Sequence, residues 1–169
     1  IMALNPSTGW GYYRSLTFAD KSSQSANYQV KIRLYSGAKT LKDRPGSGLI
    51  SQIDLNDTCS NFPNDIRFGT TNDPETATQL DQWLESSGGK NRKLEYSDYW
   101  VELPSDGSDT VYLFTNNASA SFYSSGEKTF MFFDHFKSIN ADWTTTNAGG
   151  HFTISGGTYL CLSGAINDN

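Results

Sequence analysis

Trp83 stands between Asp81 and Glu85 in the stretch Leu80-Asp81-Gln82-Trp83-Leu84-Glu85, and Trp143 follows Asn140 and Asp142. An indole beside carboxylates and amides can receive the apolar face of a sugar ring while its neighbours bind hydroxyls. Tyr12 and Tyr13 are adjacent, so on a strand one of them must face outward, and Tyr96 and Tyr99 border another strand. Trp83, Trp143, Tyr13, Tyr96, Asp81 and Glu85 are therefore the candidate sugar-binding residues. The competing reading of each ring is core packing, and that reading is taken for Trp10 and Trp100.

Other polar clusters point to different chemistry. Asp54, Asn56 and Asp57 offer hard oxygens in a loop, as do Asn72, Asp73 and Glu75. Calcium prefers such ligands, although Asp and Asn also collect in turns because they bond local backbone. The first set is the expected calcium site. Asp65 and Arg67 flank Ile66 and share one strand face, which predicts an ion pair with Arg14 as a cross-strand partner, or a polar ligand site. Catalysis is not expected. His135 and His151 are the only histidines, and no nucleophile elbow, phosphate loop or metal-binding helix motif is present.

The elements that must carry these residues read as strands. In Tyr28-Gln29-Val30-Lys31-Ile32-Arg33-Leu34-Tyr35 the period is two, which puts Tyr28, Val30, Ile32 and Leu34 inward and Gln29, Lys31 and Arg33 toward solvent. Further strands are expected around Leu16 and Phe18, at 65–68, at 80–85 and in the aromatic run Phe130 to Phe136. Residues 92–103 and 110–115 read as a strand pair, the second of them central because both its faces are apolar. A helix or irregular strand is expected at 49–55, a helical turn near 118–120, and two short strands about Gly156-Gly157. These strands and their Gly, Ser and Asn turns predict an all-β fold, a two-sheet antiparallel β-sandwich of jelly-roll type.

Composition narrows the partners. The 169 residues fit one domain, and 10 Phe, 9 Tyr and 4 Trp predict a core of few, large side chains. Net charge is −5 with 13 Lys and Arg scattered singly, which argues against nucleic acid or anionic lipid. No run of about 18 apolar residues exists to insert in a membrane. Ile1-Met2-Ala3 lacks the features of a signal peptide and reads as the junction of a piece cut from a longer protein. Cys59 and Cys161 predict either a disulfide or two buried thiols. Asn56-Asp57-Thr58 and Asn117-Ala118-Ser119 match the glycosylation sequon, a triplet frequent by chance.

The ordered motifs carry a resemblance. Trp10-x-Tyr12-x-Arg14, Tyr28-x-Val30, Asp65-Ile66-Arg67-Phe68, Trp83-x-Glu85, Trp100-Val101-x-x-Pro104, a strand ending in Asn116, and Phe130-x-Phe132-Phe133-Asp134-x-Phe136 together resemble domain of unknown function family 2341. The resemblance runs from about Trp10 to Phe136. The chain departs from it in Phe114-Thr115-Asn116, where the family usually ends an aromatic strand in Gly-Asn, and in a longer loop at 36–62.

That resemblance implies a module of bacterial or archaeal surface and secreted proteins, beside lectin-like sandwiches, adhesin repeats or glycan-active enzymes. Residues 1–9 are then a linker and 10–136 the sandwich. Residues 137–169 are its closing strands, or the start of a second, lectin-like domain. The expected function is non-catalytic carbohydrate binding outside the cell or at its surface, with a polysaccharide or glycan and neighbouring domains as partners. The alternative is a structural or protein-interaction module of an adhesin or surface-layer protein.

Overall fold

The computed structural model describes residues 3–18, 28–37, 51–89, 95–104, 108–134, 152–155 and 158–161. The chain divides into two compact units, Ile1–Met131 and Phe132–Asn169. The first holds β1 (Tyr12–Thr17), β2 (Gln29–Tyr35), β3 (Ser51–Asp54), β4 (Arg67–Gly69), β5 (Gln82–Gly88), β6 (Tyr96–Glu102), β7 (Thr110–Thr115) and the one-turn helix α1 (Gly126–Thr129). In the second, β8 (Phe152–Ser155) and β9 (Thr158–Cys161) pair with each other as an antiparallel hairpin. These are the two strands expected about Gly156-Gly157. The side chain of Cys161 lies outside the described residues, while Cys59 is half-buried against the main core.

The fold is an all-β sandwich. One sheet has the order β1-β7-β4 and the other β3-β2-β6-β5. Pairing is antiparallel throughout except between β2 and β3, which run parallel. The long connection at 36–50 permits that pair, because a parallel neighbour needs a crossover rather than a tight turn. Within the stretch expected as a helix or irregular strand, Ser51–Asp54 is a strand.

The main core lies between the sheets. Ile32, Leu34, Tyr99 and Val101 of one sheet meet Phe68, Val111 and Leu113 of the other, with the Phe68 and Tyr99 rings edge to face at 6.1 Å. Against expectation this core is mostly aliphatic. The sheets meet mainly through β-branched and leucine side chains, with Phe68 and Tyr99 among them, and other large rings lie on the outer face of the three-stranded sheet. There Leu4, Ala77 and Phe114 form a second buried cluster, joined by Trp10 and Tyr112.

That second cluster changes the reading of the N-terminus. Residues 3–9, expected as a linker, lie on the outer face of the three-stranded sheet. Ala3 bridges Thr78, the Asn5 amide donates to Gln79 Oε1 at 3.0 Å, and Asn117 donates to the Thr8 carbonyl at 2.7 Å.

Several expected elements are rearranged. β7 is central, as expected, but β6 is not its partner, because the connection at 103–109 carries the chain from one sheet to the other. β4 and β5 likewise belong to different sheets. In β2, Ile32 and Leu34 are buried as the alternation requires, whereas Tyr28 is 45% exposed and Lys31 and Arg33 are half-buried beneath neighbouring side chains. The aromatic run expected as a strand instead follows α1, and residues 130–134 form no strand. Residues 118–119 form a turn, as expected.

Candidate functional site

The register of the four-stranded sheet assembles the candidate site. Trp83 of β5 lies directly opposite Trp100 of β6, and Trp100 lies opposite Lys31 of β2. Side chains in one cross-strand row share a face, so this row crosses three strands on the side away from the core. Both indoles are half-buried. Phe130, delivered by the end of α1, stands edge to face with Trp83 at 5.7 Å and with Trp100 at 5.6 Å.

Polar groups flank the rings. Trp100 Nε1 donates to Glu85 Oε2 at 3.2 Å, Glu85 also pairs with Lys31, and the Lys31 ammonium lies 5.7 Å from the Trp100 ring centre. In the next row Arg33 donates twice to Asp98, at 2.6 and 2.7 Å, and Ser86 adds a third bond at 3.0 Å. The Arg33 guanidinium stacks 4.5 Å from the Tyr96 ring centre. Gly88 makes room for that ring, since a Cβ there would come within 3.2 Å of it. Burial pushes the Asp98 carboxyl up, but the Arg33 and Ser86 hydrogen bonds and the charges of Arg33 and Lys31 outweigh it and hold the group below its ordinary value.

Asp81 sits just before β5, where it accepts a 2.5 Å bond from the Tyr123 hydroxyl. Burial and this bond push Tyr123 up to about 12. The Glu102 amide donates to the Asp81 carbonyl, and burial together with the Asp81 charge raises the Glu102 carboxyl above its ordinary value. A raised carboxyl favours the fold while protonated and costs stability as pH rises through its folded value. Glu102→Gln is therefore expected to raise the thermal midpoint at pH 7 and to leave it unchanged below about pH 4. Paired melts at the two pH values check this, and an equal shift at both would refute it.

Of the residues predicted for sugar binding, Trp83, Glu85 and Tyr96 share this face, and Asp81 borders it. Tyr13 does not join them. It is 56% exposed on β1 of the other sheet, edge to face with Tyr112 at 6.3 Å. Trp143 lies outside the described residues. Trp100, taken as core, belongs to the face, as do Lys31, Arg33, Asp98 and Phe130. Their strand periodicity was visible, but the pairing of β5 with β6 was not.

The expected calcium loop is a tight turn. Asn56 and Asp57 adopt φ of 53° and 61°, and the Thr58 amide closes the turn on the Leu55 carbonyl at 3.0 Å. Two successive left-handed residues favour Asn and Asp for backbone reasons alone. In the second loop Asp73 accepts bonds from the Glu75 amide and the Thr76 hydroxyl. Among the described residues no three His, Cys, Asp or Glu side chains converge as a metal site.

Asp65 and Arg67 are both buried, yet each bonds backbone and no ion pair joins them. Asp65 Oδ2 accepts from the Ser60 and Asn116 amides, and Arg67 donates to the carbonyls of Asn64, Ile66 and Ser121. Arg14 is not their partner. It donates to the Asp54 carbonyl at 2.8 Å, from a strand separated from β4 by β7.

No curated protein and no solved structure matches the chain. The family model described as Domain of unknown function (DUF2341) matches residues 62–146, a span that holds β4 to β7, α1, both paired indoles and Phe130. The motif order read from Trp10 to Phe136 pointed to that same family, and the chain belongs to DUF2341.

Proposed function

We propose that this domain is a non-catalytic carbohydrate-recognition module of a larger extracellular or cell-surface protein, and that the outer face of β2, β6 and β5 is its sugar surface. The observation that carries the reading is the pair Trp83 and Trp100, held opposite each other with Glu85 and Lys31 alongside. Half-exposed indoles supply the apolar platform. The adjoining carboxylates, ammonium and guanidinium are already oriented by one another, so little side-chain order is lost when hydroxyls bind. Partners are then a polysaccharide or glycan, and the neighbouring domains of the parent protein. Calcium at Asp54, Asn56 and Asp57 belongs to the same proposal as a companion ion.

A polysaccharide and glycan-array screen, run with and without calcium, tests the reading. Trp83→Ala is expected to weaken binding by tenfold or more, because stacking on one indole contributes on the order of 1–2 kcal/mol. Tyr13→Ala, on the other sheet, is expected to leave binding unchanged. Absence of binding to every glycan, or binding indifferent to Trp83→Ala in a folded variant, would overturn the proposal.

A further inference from the structure

β1 is an edge strand unlike the other edges. The free side of β4 is taken up by residues 78–80, with the Leu80 amide donating to the Phe68 carbonyl at 2.8 Å. The free side of β5 carries a bulge between Leu84 and Ser86 and is covered by Ser124 and Ser125, which bond Leu84 and Gln82. β3 is only four residues long. Among the described residues β1 pairs with β7 alone, in unbroken register over six residues, and apart from the single charge of Arg14 it carries no lysine, proline or bulge. Such devices normally blunt an edge against strand addition.

The side chains of β1 are open on both faces. Tyr12, Arg14 and Leu16 lie opposite Thr115, Leu113 and Val111, on the core side of the sheet, yet Tyr12 is 54% exposed and Arg14 is exposed too. The second sheet covers them only in part, with Leu16 half-buried against the main core and Arg14 bonded to the Asp54 carbonyl of β3. Beneath the strand lies an open cleft of about 270 Å³ lined by Ser15, Leu16, Thr17, Phe18, Ile32 and Ile53. A smaller cleft of about 80 Å³ follows under Tyr12 and Arg14, floored by Leu55 and Leu113.

We infer that β1 and these clefts form a docking site for an extended peptide strand with apolar side chains at alternate positions and one acidic side chain. An open backbone edge selects a strand, because only a strand answers a row of amides and carbonyls at the right spacing. Same-face side chains on that strand recur every ~7 Å, the separation of Arg14 and Leu16 along β1. The larger cleft, with Leu16, Phe18, Ile32 and Ile53 in its wall, takes an aliphatic side chain. Arg14 selects the acid. It is the one ionised side chain among the described residues lining either cleft, and one of its five donors is engaged with the Asp54 carbonyl.

The test uses the whole chain and a fluorescein-labelled peptide of alternating Val and Thr with one Asp. Controls are the same peptide with Lys for Asp, and a scrambled peptide with its valines contiguous. The Asp peptide is expected to bind and to slow hydrogen exchange at the amides of Tyr12 to Thr17. Arg14→Glu, an exposed change that spares the core, is expected to weaken the Asp peptide at least tenfold and to transfer preference to the Lys peptide. Absence of binding, equal binding of the scrambled peptide, or protection away from β1 would overturn the inference. So would a concentration-dependent dimer that protects β1 without peptide, because β1 would then be a self-pairing edge.

Discussion

Arg67→Ala is expected to destabilise the first unit by about 3–5 kcal/mol, because it removes charge-assisted hydrogen bonds from a buried guanidinium to three backbone carbonyls. Arg67 is 2% exposed on the shortest strand, and its guanidinium spans three backbone carbonyls. The bond to Ser121 ties the segment after β7 to β4. Its charged plane also lies 5.9 Å from the Trp10 ring centre and 5.4 Å from that of Tyr123. Truncation would leave the Asn64 and Ser121 carbonyls without that donor, the Ile66 carbonyl with Gln82 alone, and the fully buried Asp65 without its nearby cation. Arg67→Lys retains the charge and loses the fork, so an intermediate loss of about 1–3 kcal/mol is expected. Urea denaturation with an unchanged slope measures both, and a loss under 1 kcal/mol for the alanine variant would refute the argument.

Asp98→Ala should cost about 3 kcal/mol, the lower end for a broken buried pair because Arg33 keeps some contact with solvent. Asp98 is 2% exposed, takes both Arg33 bonds and the Ser86 bond, and stands in the middle of the four-stranded sheet. Without it Arg33 would remain stacked on Tyr96 with its charge uncompensated. The pH dependence has a definite sign. The folded carboxyl lies below its unfolded value, so its contribution is present in full above about pH 4 and is lost as pH falls through the folded value. The gap in stability between the parent protein and Asp98→Asn should therefore narrow on acidification. Denaturation curves taken from pH 7 downward read this directly, and a gap that stays constant or widens would exclude the pair as the cause. Arg33 and Lys31 both lie on the proposed sugar face, so Asp98 variants should also weaken glycan binding if that proposal holds.

Asp65 and Arg67 mark how far the chain could be read as text. They were read as a same-face strand pair, but β4 begins at Arg67 and Asp65 lies in the turn before it. Their partners did not follow. The amides of Ser60 and Asn116 and the carbonyl of Ser121 come from distant loops. The inward face of β2 was legible at Ile32 and Leu34. Tyr28 was misplaced because it precedes β2, which begins at Gln29, and is exposed. A core of few, large side chains was expected on area alone, whereas Phe68 and Tyr99 are the rings buried among the aliphatic side chains of the main core and Trp100, taken as core, packs on the outside of the sandwich.

The amino-acid sequence by itself determined an all-β chain, the central place of β7, the hairpin about Gly156-Gly157 and membership of the family. Each rests on alternation, turn residues or motif order, which are properties of neighbours along the chain. Tertiary structure alone decided that β6 and β7 belong to opposite sheets, that Trp83 faces Trp100, that residues 3–9 lie on the second cluster, and that among the described residues β1 pairs with β7 alone. Those outcomes depend on which strand lies beside which. A strand's hydrogen-bonding edges are chemically alike for every candidate partner, so the choice is made by packing between residues far apart in sequence.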